Sequence, residues 1–465
     1  MESRHYIKSF IKKREWPTLT KGFLFFLCIV VSLFITLSIA DHSYDDSMRN
    51  TLFVAVFAVS LWLTEAIPPF VVGILIIILL VWLLGYPAFN ANPLDVTVFT
   101  NTWSSPVIFL MLGGFFIATG MKETKLDQWI FQFSYNLFGG KPSNLLFGLM
   151  LTTAFLSMIM SNTATAAMMI GAITPFANSR EEGDKLSKTL LLGIPLAASI
   201  GGMGTIIGSP PNAIAVGILE SNGIQVDFVK WMFYGFPLAI GLIVLFWYIF
   251  KSSLDKDQDV IQLTLNEVKL TPEEQKRRRI VVLTLLVTVG LWLTSPLHGI
   301  SATAVSSIPL LMLTVSGIIK GEEFRSLPWD TLALVAGGLS LGVALEKSGL
   351  ATHLLSKVSL DPSNLIIALL ILSLLTIILS NVMSNTASAS ILIPVAVMLL
   401  PGNELIACLT VGLSSSCALF LPVSTPPNAI AFATGKLEQK DFRKGGLLAG
   451  VIAPAFIVIW LMLVV

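Results

Sequence analysis

Residues 160–168, MSNTATAAM, and residues 383–391, MSNTASASI, place the same polar triplet, Ser-Asn-Thr, inside long apolar sequence. In both copies another serine stands four residues before the triplet, as Ser157 stands before Ser161. A single triplet of this kind is usually a contact between membrane helices, because small polar residues let helices approach closely. Two matching copies in distant parts of the chain indicate a duplicated element with a function of its own.

The composition is that of a membrane protein. The chain has 465 residues, of which 54% are hydrophobic and 12% are charged, whereas a soluble domain has about 25% charged residues. Repeated apolar runs of about 20 residues predict spanning helices, since the backbone in lipid must satisfy its own polar groups. The net charge of +1 provides no overall field that would attract nucleic acid. We therefore predict an all-α polytopic membrane protein that lies in a lipid bilayer and has no nucleic-acid partner.

The apolar runs divide into eleven predicted transmembrane helices and two re-entrant hairpins. The hairpins, 144–177 and 364–400, carry the triplets near their middles and are short for two full crossings. We expect each hairpin to enter and leave the membrane on the same side. The predicted spans are 23–40, 52–66, 69–85, 103–120, 189–217, 230–250, 280–295, 301–319, 330–346, 404–434 and 446–465.

The distribution of basic residues predicts the orientation. If the N-terminus is cytoplasmic and neither hairpin crosses, 25 of the 29 Lys and Arg residues fall on the cytoplasmic side. This excess is the positive-inside pattern of membrane proteins. The topology places the C-terminus outside, and it makes the two hairpins enter from opposite sides. The chain therefore has two inverted halves, which a charged cytoplasmic loop at 251–279 joins.

A second pair of motifs follows the first. Residues 208–215 read GSPPNAIA and residues 424–431 read STPPNAIA, each downstream of its own triplet. Proline lacks an amide donor and clashes with the preceding turn, so two in succession predict broken helices at 208–212 and 424–428. Broken backbone at membrane depth needs protein or a water-filled cavity beside it. The repeated order of hairpin and broken helix is the pattern of inverted-repeat secondary transporters.

The four elements together predict a binding site for a small anion. Hydroxyls, amides and helix N-termini can hold an anion, and carbonyl, hydroxyl and amide oxygens can hold a hard cation such as Na⁺. No Arg or Lys falls inside the predicted hairpins and broken helices. Because an unpaired anion is costly at membrane depth, co-bound sodium would supply the missing counter-charge. We expect sodium as the coupling ion and no other cofactor.

The paired Ser-Asn-Thr and Pro-Pro-Asn motifs resemble those of the divalent anion/sodium symporters, in the dicarboxylate transporter branch, and the resemblance covers nearly the whole chain. It implies secondary active, sodium-coupled uptake of a small dianionic C4-dicarboxylate such as succinate, malate or fumarate by alternating access. It also implies a homodimer in the inner or plasma membrane. Each protomer would have a scaffold domain, formed by the early spans of each half, and a moving transport domain.

By this resemblance the chain divides into seven parts. They are a cytoplasmic tail at 1–22, the scaffold part of repeat 1 at 23–120, its transport part at 121–217 (hairpin 144–177, broken helix 189–217), the sixth span and linker at 218–279, the scaffold part of repeat 2 at 280–346, its transport part at 347–434 (hairpin 364–400, broken helix 404–434), and the last span at 435–465.

The resemblance also implies the residues of the site. Ser209 stands where threonine is common in the family, and Ser424 stands where a smaller residue is common, but both keep a backbone carbonyl. One sodium site would fall on Ser157, Ser161, Asn162 and Gly208, a second would fall on Ser380, Ser384, Asn385 and Ser424, and the substrate would meet Asn162, Thr163, Ser209, Asn385, Thr386, Thr425 and Pro426.

Other functions are open at this stage. The same fold could exchange dicarboxylates without sodium, and the cargo could be sulfate or citrate. A membrane-embedded hydrolase would need a catalytic dyad, and the predicted spans contain none near the motifs, so we predict that the protein is not an enzyme. An anion channel is disfavoured, because two occluding hairpins argue against a continuous pore.

Overall fold

The computed structural model describes residues 18–181, 183–254, 261, 270–357 and 364–465. Most of the predicted cytoplasmic tail at 1–22, and residues 255–260 and 262–269 of the predicted linker at 251–279, lie outside these residues. Throughout the described part of the chain the regular secondary structure is helical, without strands. The predicted all-α fold class is therefore confirmed.

The first half of the chain forms a series of helices that ends in a hairpin, a broken helix and one long helix. Its α-helices are Thr18–Ile39, Asp46–Thr64, Pro69–Gly85, Thr97–Thr100, Pro106–Glu123, Leu126–Phe138, Pro142–Ser157, Asn162–Asn178, Lys185–Gly201, Pro210–Ser221 and Phe228–Lys251, and its 3₁₀ helices are Asn101–Ser104 and Gly202–Gly204.

The second half repeats this order. Its α-helices are Pro272–Leu293, Ser295–His298, Ala302–Val305, Ser307–Val315, Gly321–Arg325, Trp329–Lys347, Leu350–Lys357, Leu365–Val382, Asn385–Leu399, Glu404–Ser414, Pro426–Phe432 and Gln439–Val464, and a 3₁₀ turn covers Ser415–Cys417.

Eight helices in the described residues are long and apolar enough to cross a membrane. They include Phe228–Lys251 and Gln439–Val464, and shorter apolar helices such as Pro69–Gly85 accompany them. Every predicted span overlaps a helix of the described residues, but the helix at the predicted span 280–295, Pro272–Leu293, is not among those long and apolar enough to cross. The number of crossings and the orientation of the termini stay predictions.

Local sequence explains where several helices begin. Asp45, Asp184 and Asp227 are N-caps, and each carboxylate accepts a hydrogen bond from the backbone N–H three residues later. Thr271 and Glu274 form a capping box at the start of the helix after the linker. Such caps satisfy amide groups that have no partner within the helix. The helix boundaries are therefore encoded locally, at the loops between apolar runs.

A close helix crossing joins the two halves. Helices Pro69–Gly85 and Trp329–Lys347 pack against each other where Gly73 meets Gly337. A Cβ atom on Gly337 would lie 2.4 Å from Gly73 Cα, so only glycine permits this approach. Apolar side chains of both helices, together with those of Asp46–Thr64, form a separate buried cluster. Helix Trp329–Lys347 also packs against Pro210–Ser221 and Asn385–Leu399, and it thus connects this cluster to the elements that carry the motifs.

Candidate functional site

The two triplets occupy equivalent turns. The chain reverses between Pro142–Ser157 and Asn162–Asn178, and again between Leu365–Val382 and Asn385–Leu399; we call these turns tip 1 and tip 2. The serine of each triplet is the N-cap of the returning helix, and its hydroxyl accepts a hydrogen bond from the amide three residues later at 3.2 Å. The triplet therefore starts a helix, with its Asn and Thr in the first turn, where the helix dipole favours anions.

The two breaks lie just before the Pro-Pro pairs. Residues 205–209 separate Gly202–Gly204 from Pro210–Ser221, and residues 418–425 separate Ser415–Cys417 from Pro426–Phe432; we call these segments break 1 and break 2. The predicted positions, 208–212 and 424–428, are thus displaced toward the C-terminus. The physical reason is that proline is well suited to the first turn of a helix, where its missing N–H would have no partner. The prolines begin the second half-helix and do not interrupt a continuous one.

The asparagine of each Pro-Pro-Asn motif closes its break. Asn212 Nδ2 donates to the carbonyl oxygens of Gly202 and Thr205, both at 2.8 Å. Asn428 Nδ2 donates to the carbonyl oxygen of Leu421 at 2.9 Å. Thr205 and Leu421 precede their asparagines by the same seven residues, so the two repeats use the same bond. Sequence reasoning found these asparagines as part of the motif but assigned them no role.

Tip 1 and break 1 form a cluster of oxygen atoms. Ser157 Oγ donates to the carbonyl oxygen of Ala198 at 2.6 Å. One end of the Asn162 amide lies 2.6 Å from Ser157 Oγ, 3.1 Å from the Ala198 carbonyl oxygen and 3.2 Å from the Gly208 carbonyl oxygen. With nitrogen at this end, Asn162 donates to all three oxygens. With oxygen at this end, four oxygen atoms face one another, which is an arrangement that suits a hard cation.

Two glycines permit this close approach. A Cβ on Gly202 would lie 2.7 Å from Asn162 Oδ1, and a Cβ on Gly208 would lie 2.6 Å from the Gly202 carbonyl oxygen. Both distances are shorter than real Cβ contacts. The glycines that surround break 1 therefore allow backbone carbonyls to reach the Asn162 amide directly.

Tip 2 and break 2 are joined by a residue outside the triplet. Asn381 Oδ1 accepts from Phe420 N at 2.9 Å and from Ser424 Oγ at 2.7 Å. Ser380 Oγ and Asn385 Oδ1, at positions equivalent to Ser157 and Asn162, are buried and make no hydrogen bond with any described residue. Buried polar atoms without partners are uncommon, so these two atoms are available to a ligand. Sequence reasoning missed Asn381, although it is a polar residue beside Ser380 in apolar sequence.

The four elements of the two repeats pack reciprocally. Helix Pro210–Ser221, after break 1, packs against Asn385–Leu399, after tip 2. Helix Pro426–Phe432, after break 2, packs against Asn162–Asn178, after tip 1. Each half of the chain thus packs against the returning helix of the other half's hairpin. This arrangement brings together the elements that carry all four motifs, as expected from the sequence.

The predicted substrate residues differ in exposure. Thr163 and Pro426 are exposed, and Asn162, Asn385 and Thr386 are half-buried. Ser209 and Thr425 are buried, at 1% and 3% exposure, and the Thr425 hydroxyl accepts from Asn428 N at 3.3 Å. The first group has surface that a solute at the tips can contact. Ser209 and Thr425 are covered by protein at the N-cap positions of the half-helices, where only the Thr425 side chain makes a capping hydrogen bond.

The prediction that no Lys or Arg lies in the hairpins or broken helices needs one correction, at the start of the helix before break 1. The helix before break 1 begins at Lys185 and not at the predicted residue 189, so it contains Lys185 and Lys188. Lys188 Nζ forms ion pairs with Asp441 at 3.0 Å and with Glu438 at 3.5 Å. It lies in the first turn of the helix, about four turns from the break. The motifs themselves hold only uncharged side chains.

Two solved structures resemble the fold. The antimetabolite efflux pump MtrF of Neisseria gonorrhoeae has a TM-score of 0.55 and 11% identity, covering 88% of this chain and 97% of that chain. The YdaH transporter of Alcanivorax borkumensis has a TM-score of 0.53 and 13% identity, covering 85% and 98% of the two chains. At such low identity the likeness concerns the fold alone.

Sequence comparison identifies the family. A protein-family model described as citrate transporter matches residues 59–412. The sodium-dependent dicarboxylate transporter SdcS of Staphylococcus saprophyticus is 31% identical over 99% of this chain and 94% of that protein. SdcS of Staphylococcus aureus USA300 is 30% identical over the same shares. The chain therefore belongs to the citrate transporter family, and the resemblance to divalent anion/sodium symporters that its paired motifs carry is confirmed.

Proposed function

We propose that this protein is a secondary active transporter that takes up a C4-dicarboxylate, such as succinate, malate or fumarate, together with sodium. Its relatives are named sodium-dependent dicarboxylate transporters, and its family indicates transport rather than catalysis. The observation that carries the proposal is the cluster of oxygens around the Asn162 amide, with the Ser157 hydroxyl and the carbonyls of Ala198 and Gly208. Uncharged oxygen ligands of this kind suit Na⁺.

The first sodium site would use Ser157, Ser161, Asn162 and Gly208. In the sodium-bound form the amide oxygen of Asn162 would point inward, toward the carbonyl of Gly208. Without sodium the nitrogen would point inward and satisfy the same oxygens by hydrogen bonds. Sodium binding would therefore exchange hydrogen bonds for ion–oxygen contacts with little movement of the backbone. The structure adds the Ala198 carbonyl, which no sequence motif marks, to the proposed ligands.

The second sodium site would use Ser380, Ser384, Asn385 and Ser424. The support is that Ser380 Oγ and Asn385 Oδ1 are buried and have no hydrogen-bond partner in the part of the chain that the structure describes. Leaving such groups unsatisfied costs about 1–3 kcal/mol each, and a bound cation would remove that cost. The Ser384 hydroxyl already caps its helix, but a hydroxyl oxygen has a second lone pair for an ion.

The dianion would bind between the tips. The two N-terminal helix turns, Asn162–Thr163 and Asn385–Thr386, present amides, hydroxyls and free backbone N–H groups, which hold carboxylates well. Sodium ions beside both tips would offset the negative charge of the substrate. The positive charge of sodium and the negative charge of the substrate would offset each other. Binding of either one would therefore favour binding of the other. Of the other predicted substrate residues, the exposed Pro426 would complete the substrate surface, and the buried Ser209 and Thr425 would lie directly behind it at the starts of the half-helices.

Transport would follow from alternating access. The hairpins and broken helices would form a transport domain that moves against a scaffold built from the early helices of each half. We propose that the protein works as a homodimer in the cell membrane, with the N-terminus in the cytoplasm and the C-terminus outside. The proposed domain boundaries remain those predicted from the sequence.

The deciding experiment is uptake of labelled succinate into proteoliposomes, with and without an inward sodium gradient. We expect uptake against the succinate gradient only when sodium is higher outside. Equal uptake in sodium-free buffer would reject the coupling. If uptake instead required succinate or malate inside the vesicle, the protein would be a sodium-independent exchanger.

Citrate is the second candidate cargo, because the family model that matches the chain is described as a citrate transporter. Competition of labelled succinate uptake by unlabelled succinate, citrate and sulfate separates these possibilities. We expect succinate to compete at the lowest concentration. Stronger competition by citrate or sulfate would assign that anion as the cargo, with the same site and the same ion coupling.

A further inference from the structure

The two tips are tied to their breaks by different bonds. In repeat 1 the link is Thr205, whose hydroxyl donates to the carbonyl of Met158 and accepts from Gly208 N at 3.0 Å. The position equivalent to Thr205 in repeat 2 is Leu421, which has no hydroxyl. The second junction must therefore be held in another way.

In repeat 2 the link is Asn381, the equivalent of Met158. Its Oδ1 accepts from Phe420 N and Ser424 Oγ, while its Nδ2 donates to the carbonyl of Ile377 at 2.8 Å. Ser424 Oγ in turn accepts from Leu421 N at 3.0 Å. The amide of Asn381 thus bonds to two points of break 2 while its other end is fixed to its own helix. We call Asn381 and Ser424 the tip 2 clamp.

The clamp fixes the geometry of the proposed second sodium site without using its free atoms. Asn381 adjoins Ser380 in sequence, and Ser424 is itself a proposed ligand through its carbonyl. Ser380 Oγ and Asn385 Oδ1 stay without partners. In repeat 1, by contrast, Ser157 and Asn162 are hydrogen-bonded to each other, Ser157 also bonds to Ala198, and Asn162 also bonds to Gly208 of break 1. The second site is thus held open, while the first must exchange hydrogen bonds for ion contacts.

We propose that Asn381 is a positioning residue that pre-organises the second sodium site through Ser424, so that sodium binds there without first ordering tip 2. This inference rests on the proposed sodium coupling. A pre-formed site binds more tightly because the ligand does not have to offset the ordering of its own binding groups. Loss of the clamp therefore raises the sodium concentration needed to fill the site. A merely structural hydrogen bond would lower stability without that rise.

The test compares purified variants by their melting temperature across a sodium titration, with choline replacing sodium at constant ionic strength. Asn381→Met installs the residue of repeat 1, and Ser424→Ala removes only the hydroxyl. We expect each to raise the sodium concentration for half-maximal stabilisation by at least about five- to tenfold, because each removes the hydrogen bond between Asn381 and Ser424. The double variant should exceed the larger single effect only slightly, because both changes remove the same bond.

Two controls separate positioning from stability. Ser373→Ala breaks a buried hydrogen bond to Ser414, 2.7 Å long, on the same helix as Asn381; it should lower the melting temperature and leave the sodium midpoint within twofold. Asn381→Asp keeps acceptor oxygens for Phe420 and Ser424, so its midpoint should not rise.

The outcomes are distinct. An Asn381→Met midpoint equal to that of the wild type, with a melting temperature lowered as in Ser373→Ala, overturns the inference and leaves sodium coupling intact. A wild-type protein that sodium does not stabilise, and whose succinate uptake ignores sodium, overturns both proposals. If Asn381→Met does not fold, Ser424→Ala decides alone, since it retains the bond from Asn381 to Phe420.

Discussion

The amide of Asn162 reaches the backbone of Gly208 across the junction of tip 1 and break 1, with 3.2 Å between the amide end and the carbonyl oxygen. These residues are 46 positions apart in the chain, and the contact exists because Gly202 and Gly208 leave no Cβ between the two segments. A hairpin tip is thereby held by a broken helix at a point where both expose oxygen atoms. A ligand that enters this point must change the bonds of both elements at once.

Asn162→Ala and Asn385→Ala should each reduce sodium-driven succinate uptake by about a hundredfold or more. Each change removes an amide that we assign to both ion and substrate, and a hydrogen bond to a charged group is worth about 1.5–3 kcal/mol. Asn178→Ala, at the exposed far end of the helix that Asn162 begins, is the matched control and should keep wild-type uptake. Size-exclusion chromatography checks that the variants stay folded. Normal uptake in either tip variant contradicts the site assignment.

The buried asparagines of the Pro-Pro-Asn motifs predict a graded loss of stability. Asn212 donates two hydrogen bonds within break 1, and Asn428 Nδ2 donates one within break 2. Since each buried carbonyl left unsatisfied costs about 1–3 kcal/mol, Asn212→Ala should lower the melting temperature more than Asn428→Ala. Asn222→Ala, at the exposed end of the helix that contains Asn212, should have a small effect. A larger loss in Asn428→Ala than in Asn212→Ala would refute this order.

The duplicated motifs made the outline of the site predictable from sequence. Polar triplets and Pro-Pro pairs are conspicuous in apolar segments, so the hairpins and the broken helices could be found by pattern alone. The matching spacing of the two triplets likewise indicates that Ser157 and Ser380 occupy equivalent positions. The predicted breaks lie a few residues late because proline clashes inside a helix but is favoured at a helix start, and the sequence pattern does not distinguish the two cases.

The hydrogen bonds that hold the tips could not be predicted from the sequence. Asn381 bonds to the amide of Phe420, and Thr205 bonds to the carbonyl of Met158. Backbone groups are the same at every position, so no residue pattern shows which of them a side chain meets. The residues that join each tip to its break are also not at equivalent positions in the two halves. A search for repeated motifs therefore does not find them. The sequence prediction did not include Lys188 in the helix before break 1. That helix begins at its N-cap Asp184, which lies outside the apolar run used to predict it.

Asp127 predicts a pH-dependent stability. It lies in Leu126–Phe138, outside the predicted spans, and is 5% exposed. Burial raises the pKa of its carboxyl above the usual 3.8, although a backbone bond from Gln128 and the charges of Lys122 and Arg278 oppose this. A raised acid pKa means that the folded state binds the proton more tightly, so ionisation of Asp127 weakens the fold as pH rises through that pKa. Below the pKa that Asp127 has in the unfolded chain, the carboxyl is protonated in both states and this effect on stability is absent.

Asp127→Asn should therefore stabilise the protein at pH 7, because the neutral amide removes the charge that burial disfavours. The asparagine keeps a side-chain oxygen for the Gln128 amide, 2.9 Å away in the wild type. The gain should shrink as the pH falls toward 4, when the wild-type carboxyl becomes protonated. Melting curves of both proteins between pH 4 and pH 8 measure this. A gain that is constant with pH would show that packing, not ionisation, causes it.

Gly202→Ala should strongly reduce uptake, whereas the same change at Gly171, in the helix that Asn162 begins, should have no effect. The new methyl group would lie 2.7 Å from Asn162 Oδ1 and 2.9 Å from the Gly208 carbonyl oxygen, so it must push the amide away from the oxygens that we assign to sodium. Gly171→Ala, in helix Asn162–Asn178, meets no atom within 4 Å. Alanine is also the better helix former by up to about 1 kcal/mol, so this control should keep its activity and its melting temperature. We expect Gly202→Ala to lose at least about tenfold in sodium-driven uptake and to need more sodium for half-maximal stabilisation. If the two variants transport equally well, tip 1 and break 1 do not bind the ion together.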